Sequence, residues 1–436
     1  MSPYEIKSVQ ERILPLYPRS MDLSLDRIIF LLEKLGNPQK KIKNIIHIAG
    51  TNGKGSVLAY LSSILLSSGY TVDSYTSPHL VHFNERIKIG GNNYDSYIDD
   101  GSLADILHEC ERVNDGAPIT IFELITAAAF LKYSTTNSDF LLLETGLGGR
   151  LDATNIIEDP LVSVITPIGI DHQQFLGNKV QDIAREKAGI IKKNGKTVLG
   201  KQESLVLSVL KEYIQLLNNK SQIWNEDYNV IPQDKNFIYE DSRYQLKLSF
   251  PNLIGKHQIE NAATSIATLS SIDDVKISNK DFEIGLRNVL WPGRLEKLEV
   301  GPLSKYVSSD TEIWLDGGHN EHAAMAIADT MKDYKDKKLI LIMAMMNTKD
   351  SKKFLKPFVN LAGHVIAIKI PNSENFLSPN EIKQSAETQG ILAITKNDLY
   401  EALEHTKSLN GKIRILICGS LYLAGFVLEK HRGRAI

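Results

Sequence analysis

Cysteine is scarce: Cys110 and Cys418 are the only two in 436 residues and form no CxxC pair, which argues against a disulfide framework or a zinc ribbon. A reducing cytosol fits that usage. Excess charge of one sign is also missing, since 50 Lys and Arg face 52 Asp and Glu for a formal net charge of −2. Without a broad basic surface a nucleic-acid partner is not expected, and any anionic ligand must be held by local geometry. With 15 prolines, a 42% hydrophobic share and a 23% charged share, the composition excludes general disorder. No apolar run reaches the ~18 residues that cross a bilayer; Ile45–Ala49 and Leu339–Met346 have the length of buried strands. The start, MSPYEIKSVQERILPLYPRS, lacks a basic stretch followed by an apolar one, so a secretory leader is not expected and the reading is cytoplasmic. Solenoid repeats and low-complexity tracts are absent.

What is present is length and alternation. The chain exceeds the ~100–200 residues of one ordinary domain, which predicts more than one. Strand-like runs at 45–49, 70–76, 140–144 and 162–166 alternate with helical patterns, as in βαβ units around a parallel sheet. Residues 224–250 alternate polar and aromatic side chains and predict an antiparallel hairpin appended to that sheet. After Trp291-Pro292-Gly293-Arg294 a second series begins, with strands expected at 312–316, 338–343, 364–370 and 413–418. Pro292-Gly293 reads as a hinge, because proline fixes φ and glycine accepts conformations other residues avoid. The expectation is an α/β protein: a P-loop-containing, mostly parallel-sheet N-terminal domain over 1–296 and a smaller Rossmann-like α/β domain over 297–436, with a cleft available between two lobes.

The chemistry-bearing residues sit where strands end. Ile45–Ala49 runs into Gly50-Thr51-Asn52-Gly53-Lys54-Gly55-Ser56 and then a helical pattern. Such a turn aims backbone N–H groups and a helix dipole at an anion, with Lys54 for phosphate and Ser56 for Mg²⁺. Its spacing departs from GxxxxGK[ST], because Gly55 separates Lys54 from Ser56, and a plain helix-capping loop is the alternative. Glu144 closes a buried strand before TGLGGRLDATN, a position where a hard carboxylate suits Mg²⁺. Asp171-His172 follows the strand at 162–166 in the same manner. Taken alone, Lys187 is a solvated helix lysine, Thr76–Leu80 a turn after a strand, and His47 a satisfied core histidine. His108 and His405 sit in helical patterns without a functional reason to select them.

Together these residues resemble the folylpolyglutamate synthase and dihydrofolate synthase group of the Mur-ligase-like superfamily. The motifs occur in that family's order: GTNGKGS (50–56), TSPHL (76–80), FNERI (83–87), TIFELITAAAF (120–130), ETGLGGRLDATN (144–155), IGIDHQQFLG (168–177), EKAGIIK (186–192), GKHQIENAA (255–263), PGRLE (292–296) and LDGGHN (315–320). The resemblance implies a Mur-ligase-like fold and a ligase in which ATP phosphorylates a folate carboxylate and the amine of glutamate attacks the acyl phosphate. It implies that Asn52, Gly53, Lys54, Gly55 and Ser56 hold ATP phosphates, that Asn261 contacts adenine, and that Arg294 and Asp316 add ATP contacts from the hinge and second domain, completed when the lobes close. Ser77, Glu144 and His172, with Ser56, are the implied Mg²⁺ ligands for one or two ions. Lys187 matches a lysine that members carry as a carbamate, which would hold a second ion. The implied catalytic set is Lys54, Glu144, His172 and Lys187, with no side-chain nucleophile.

The segment from Met21 to Ile28 is similar to the DLGLERV-type stretch with which bifunctional members contact dihydropteroate. It implies a pterin site of Asp22, Leu23 and Ser24, with Thr120, Ile121, Phe122, Glu123, Leu151, Asp152 and Ala153, and Phe122 stacking on the ring. Dihydrofolate synthase activity with tail extension is therefore expected, on ATP, L-glutamate, dihydropteroate and reduced folates, in a monomer without a membrane partner. Departures are Ser24 for glycine, Trp291 before Pro-Gly-Arg, and Gly318 where alanine is usual. Open alternatives are tail extension alone, another Mur-like amino-acid ligase, and a nucleotide-sensing P-loop protein without bond-forming activity. A cell-wall ligase would normally carry a further domain before the P-loop, and 49 residues precede Gly50.

Overall fold

Strand β1 (Ile45–Ala49) is buried at every residue, as expected for the centre of a sheet covered on both faces. The computed structural model, which describes residues 23–90, 97–370 and 375–433, places it fourth in a seven-stranded sheet. The other strands are β2 (Val72–Tyr75), β3 (Ile87–Lys88), β4 (Phe140–Glu144), β5 (Val162–Ile165), β6 (Lys196–Leu199) and β7 (Lys220–Ile223). Their order is β3-β2-β4-β1-β5-β6-β7, and only β3 runs antiparallel, at one edge. After β1 the chain crosses to β2, returns through β4 beside β1, then crosses to β5 on β1's other side. The strand order therefore reverses around β1. In open α/β sheets the crevice at the carboxyl ends of such strands is where ligands bind.

Among the described residues, the helices in this part of the chain are α1 (Asp26–Lys34), α2 (Lys54–Ser67), α3 (Asp100–Asn114), α4 (Ile121–Tyr133), α5 (Gln173–Leu176) and α6 (Val180–Ala188). Later come α7 (Ser204–Leu216), α8 (Lys256–Ser270) and α9 (Asn279–Asn288). Helix α2 is buried along most of its length, so its small residues matter: Ser63 Oγ donates to Gly285 O at 2.6 Å, seating α9 directly on it.

The stretch after β7 differs from expectation. Strands β8 (Asn229–Pro232), β9 (Asn236–Glu240) and β10 (Gln245–Ser249) form a separate antiparallel sheet of three that, among the described residues, does not pair with the large one. Phe237, Tyr239, Leu246 and Leu248 are buried while their neighbours in β9 and β10 are more exposed, the alternation of a sheet with one solvated face. Tyr244 packs edge-on against Phe282 of α9 at 5.4 Å, so a helix supplies the covering layer.

Two compact units result, one comprising the chain up to Asn252 together with Ile259–Val289, the other Leu253–Gln258 with Leu290 onward. The second unit has a six-stranded sheet in the order β11-β12-β16-β13-β14-β15. Its strands are β11 (Glu296–Lys297), β12 (Glu312–Leu315), β13 (Lys338–Met343), β14 (Ala362–Ala367), β15 (Ala393–Thr395) and β16 (Ile413–Cys418), parallel except β11. Arg414 is buried in β16, stacked near Trp314 and Tyr334 and bonded to Glu312, Asp336 and the Tyr334 carbonyl. Among the described residues no helix is long and apolar enough to cross a membrane.

Candidate active site

The loops leaving β1 and β5 are fastened to each other, and the one leaving β4 starts with Thr145 N donating to Ile48 O of β1. After β1, the N–H groups of Thr51 and Asn52 donate to Pro167 O, and Thr51 Oγ1 bonds the Gly169 backbone. Gly53, at φ +89°, caps α2; a Cβ there would be strained and would come within 2.6 Å of Asn261 Oδ1. Asn261 of α8 is thus set against the P-loop turn. Ser56, in the first turn of α2, is buried.

Two lysines converge on one carbonyl. Lys54 Nζ donates to Gly50 O at 3.2 Å and Lys187 Nζ, from α6, donates to the same oxygen at 2.8 Å. Lys187 is buried, contrary to the exposed-lysine expectation, because Ile183, Ala184 and Ala188 seat α6 in the core. Burial and then the neighbouring Lys54 charge push its pKa down to about 7, against weaker support from Asp171 and Asp152.

Glu144 ends β4 buried, with Oε1 3.9 Å from Lys54 Nζ and Oε2 accepting the Ser77 N–H at 3.2 Å. Ser77 belongs to a loop held by Glu85, whose carboxylate accepts the N–H groups of Leu80, Val81 and His82. His172 is exposed, at φ +50°, with its N–H on Asp171 Oδ1 at 2.7 Å. Lys54, Lys187, Glu144 and Ser77 are therefore brought together, and His172 stands on the loop tied to the P-loop through Thr51. Among the described residues no three His, Cys, Asp or Glu side chains group into a metal site. One carboxylate with hydroxyl and imidazole groups beside a phosphate cradle is a donor set that suits Mg²⁺ on a nucleotide, because that ion is typically held by one or two carboxylates and substrate phosphates.

The expected pterin residues divide. Phe122 is partly buried and lies over Gly146, where a Cβ would overlap its ring, and 6.2 Å from the Tyr75 ring. Thr120 and Glu123 cap α4 reciprocally, and Glu123 also takes Arg27 of α1 on both carboxylate oxygens. Ile121 and Leu151 are half-buried and Ala153 is buried. Ser24 Oγ bonds Asp26 at the start of α1, and Leu23 precedes it half-buried. Asp22 lies outside the described residues. Asp152 is buried with its carboxylate turned to the chain, accepting from Gly146 N, Leu147 N, Thr154 N and Thr154 Oγ1. The sequence reading did not pick out Arg86, which bonds His79 through Nε and lies beside Phe83; the FNERI motif was the signal available.

In the second unit, Asp316 is buried at the end of β12 and accepts from Leu295 N at 2.7 Å and Gly318 N at 2.6 Å. Burial raises its pKa against the nearby Arg294 charge. Arg294 Nη1 donates to Gly293 O. A Cβ on Gly318 would lie 2.8 Å from Asp316 Oδ1 and from Ile327 Cδ1, so the alanine usual at this position would require those side-chain ends to shift.

Residues 48–269 match the Mur ligase middle domain, and residues 297–430 match the C-terminal domain of dihydrofolate synthetase. The dihydrofolate synthetase of Saccharomyces cerevisiae is 34% identical over 429 residues, covering 94% of this chain and 98% of that protein. The chain belongs to the dihydrofolate synthase/folylpolyglutamate synthase family. The fold agrees, with a TM-score of 0.86 and 26% identity to Escherichia coli FolC in complex with DHPP and ADP, over 97% of both chains. The bifunctional folylpolyglutamate synthase/dihydrofolate synthase of Yersinia pestis, complexed with AMPPNP and Mn, gives a TM-score of 0.86 at 25% identity over 98% of this chain and 99% of that one. As a member of this family the chain is an ATP-dependent ligase with a Mur-ligase-like α/β fold.

Proposed function

We propose that this chain joins L-glutamate to dihydropteroate to give dihydrofolate and also extends the glutamate tails of reduced folates. The observation carrying the reading is the convergence of Lys54, Lys187 and Glu144 on the P-loop at the point where the strand order reverses. A carboxylate oxygen of the acceptor attacks the γ-phosphorus of ATP and ADP leaves. The glutamate amine then attacks the acyl phosphate carbon, phosphate departs and the amide remains.

Asn52, Gly53, Lys54, Gly55 and Ser56 position the phosphates and offset charge on the transferring group. Asn261 contacts the adenine, and Arg294 and Asp316 are carried over as nucleotide contacts on the resemblance alone. Ser77, Glu144, His172 and Ser56 would hold Mg²⁺, and Lys187, once its neutral amine has taken up CO₂ with loss of a proton, would offer an anion to a second ion. The ion supplies charge neutralisation on phosphate oxygens. Its support is the donor set itself and the Mn-containing relative.

For the pterin, Phe122 offers a face, with Asp22–Ser24, Thr120–Glu123 and Leu151–Ala153 around it. We assign the phosphate-binding turn and pterin binding to 1–296 and glutamate binding to 297–436, in a monomeric, cytoplasmic enzyme. The deciding experiment supplies purified protein with ATP, Mg²⁺, glutamate and either dihydropteroate or tetrahydrofolate. Dihydrofolate and phosphate are the expected products from the first, and acceptance of tetrahydrofolate species alone would overturn the synthase reading.

A further inference from the structure

His47 occupies the middle of β1, paired in register with Leu143 of β4 and Ser163 of β5, and has no exposed surface. Its Nε2 lies 2.8 Å from Thr154 Oγ1, while its Nδ1 is buried without a partner. Thr154 Oγ1 lies 2.5 Å from Asp152 Oδ1. Burial raises the Asp152 pKa, but both of its oxygens already accept backbone N–H groups, Thr154 N on Oδ1 and Gly146 N and Leu147 N on Oδ2, so it acts as acceptor; a hydroxyl has one proton, so Thr154 donates to Asp152 and receives its bond from His47 Nε2–H. The tautomer follows: Nε2 carries the proton and Nδ1 is bare. Burial, reinforced by the Lys192 charge, pushes the His47 pKa down to about 3, consistent with a neutral ring.

The chain of bonds continues into the active-site loop. Asp152 Oδ2 accepts from Gly146 N at 2.9 Å and Leu147 N at 2.7 Å. That turn begins two residues after Glu144 and ends on α6: a Cβ on Gly149 would come within 2.7 Å of Glu186 O and 2.9 Å of Lys187 Cα. Arg150 N donates to Glu186 O at 2.7 Å just beyond it. The turn therefore bridges the backbone of Glu144 and that of Lys187.

We infer that His47 and Thr154 are positioning residues which, acting through Asp152, lock the Gly146–Gly149 turn and so fix Glu144 and Lys187 relative to each other. This rests on the reading of that centre as the phosphoryl-transfer site. Supporting groups of this kind commonly matter about 10- to 100-fold in metal affinity or activity.

The test uses Thr154→Val, which removes both bonds at similar volume, His47→Phe, which removes only the first donor, and Thr154→Ser, which restores the hydroxyl. Thr154→Val should lose hydrogen-exchange protection at the Gly146 and Leu147 amides and lower kcat about 10- to 100-fold. It should also raise the Mg²⁺ needed for half-maximal rate while leaving KM for dihydropteroate within about twofold. His47→Phe should shift the same readouts in the same direction, and Thr154→Ser should resemble the parent. Unchanged protection and kcat in the first two variants overturn the inference. So does a raised KM for dihydropteroate at constant kcat, which would put the effect on acceptor binding instead of on the placement of Glu144 and Lys187. If Thr154→Val fails to fold, His47→Phe decides by the same criteria. Glu144→Ala separates the two levels: retained Mg²⁺-dependent turnover there removes the phosphoryl-transfer reading, whereas its loss beside a normal Thr154→Val removes only the positioning role.

Discussion

At neutral pH Lys187 sits near the midpoint of its own titration, since burial and Lys54 bring its pKa to about 7. The folded state binds this proton less tightly than the unfolded chain, whose value is the ordinary 10.5. The penalty is full below about pH 7 and fades as pH rises towards 10.5. In bicarbonate-free buffer Lys187→Met should therefore gain stability over the parent most at pH 7 and below, with the gain shrinking at alkaline pH in urea-unfolding series. The same substitution should abolish turnover, and Lys187→Ala should recover part of it with a small added carboxylic acid. No loss of activity on substitution would return Lys187 to a structural role. For the metal set, Glu144→Ala and His172→Ala should each cost about 10- to 100-fold or more in turnover at limiting Mg²⁺; normal rates in both would remove that assignment.

Residues read singly were legible where the motif names a chemical group, as with Lys54 and Glu144. The buried state of Lys187 was not, because it depends on which face of α6 meets the core. The His47, Thr154 and Asp152 chain was equally hidden: its first bond joins residues 107 apart in sequence, and nothing local in IIHIA announces a partner.

Among elements, the contact of α2 with α9 makes a prediction that runs against helix propensity. Gly285 lies inside α9, where alanine ordinarily stabilises a helix. Here a Cβ would come within 2.6 Å of Ile64 Cα. Gly285→Ala should therefore destabilise by about 1–3 kcal/mol through overpacking, read as a lower urea midpoint with an unchanged slope. A higher midpoint would show that α9 can shift away at no cost.

Strand–turn–helix order around the P-loop was readable because apolar runs and glycines mark it. The placement of 229–249 was not. Alternating burial identifies antiparallel strands yet leaves open which sheet they join, and here the cover came from α9 rather than from β7. Short strands such as β7 and β15 carry too few apolar residues to stand out.

At the scale of the whole molecule, acid sensitivity has a definite source in the second unit. Burial alone would raise the Glu312 pKa, but bonds from Lys297, Trp314 and Arg414 outweigh it and hold the carboxyl at about 2. A lowered carboxyl pKa contributes stability that is complete above the ordinary value of 4.5 and disappears as pH falls towards 2. Glu312→Gln should thus be less stable at neutral pH and lose less on acidification between those limits, followed by circular dichroism in urea-unfolding series. An unchanged acid limb would mean that other carboxylates dominate. The sheet's order-reversal point, which locates the site, was foreseeable only as a parallel α/β class, since strand order depends on crossovers that no single segment encodes.

The two ammonium groups sharing the Gly50 carbonyl have a consequence for calorimetry. Their like charges oppose each other, as the lowering of the Lys187 pKa by Lys54 records. A phosphate-bearing ligand relieves that repulsion as it binds, and ligand that binds only the folded state raises its melting temperature. The melting shift given by ADP should accordingly shrink with added salt and be smaller in Lys187→Met, which starts with only one charge to satisfy.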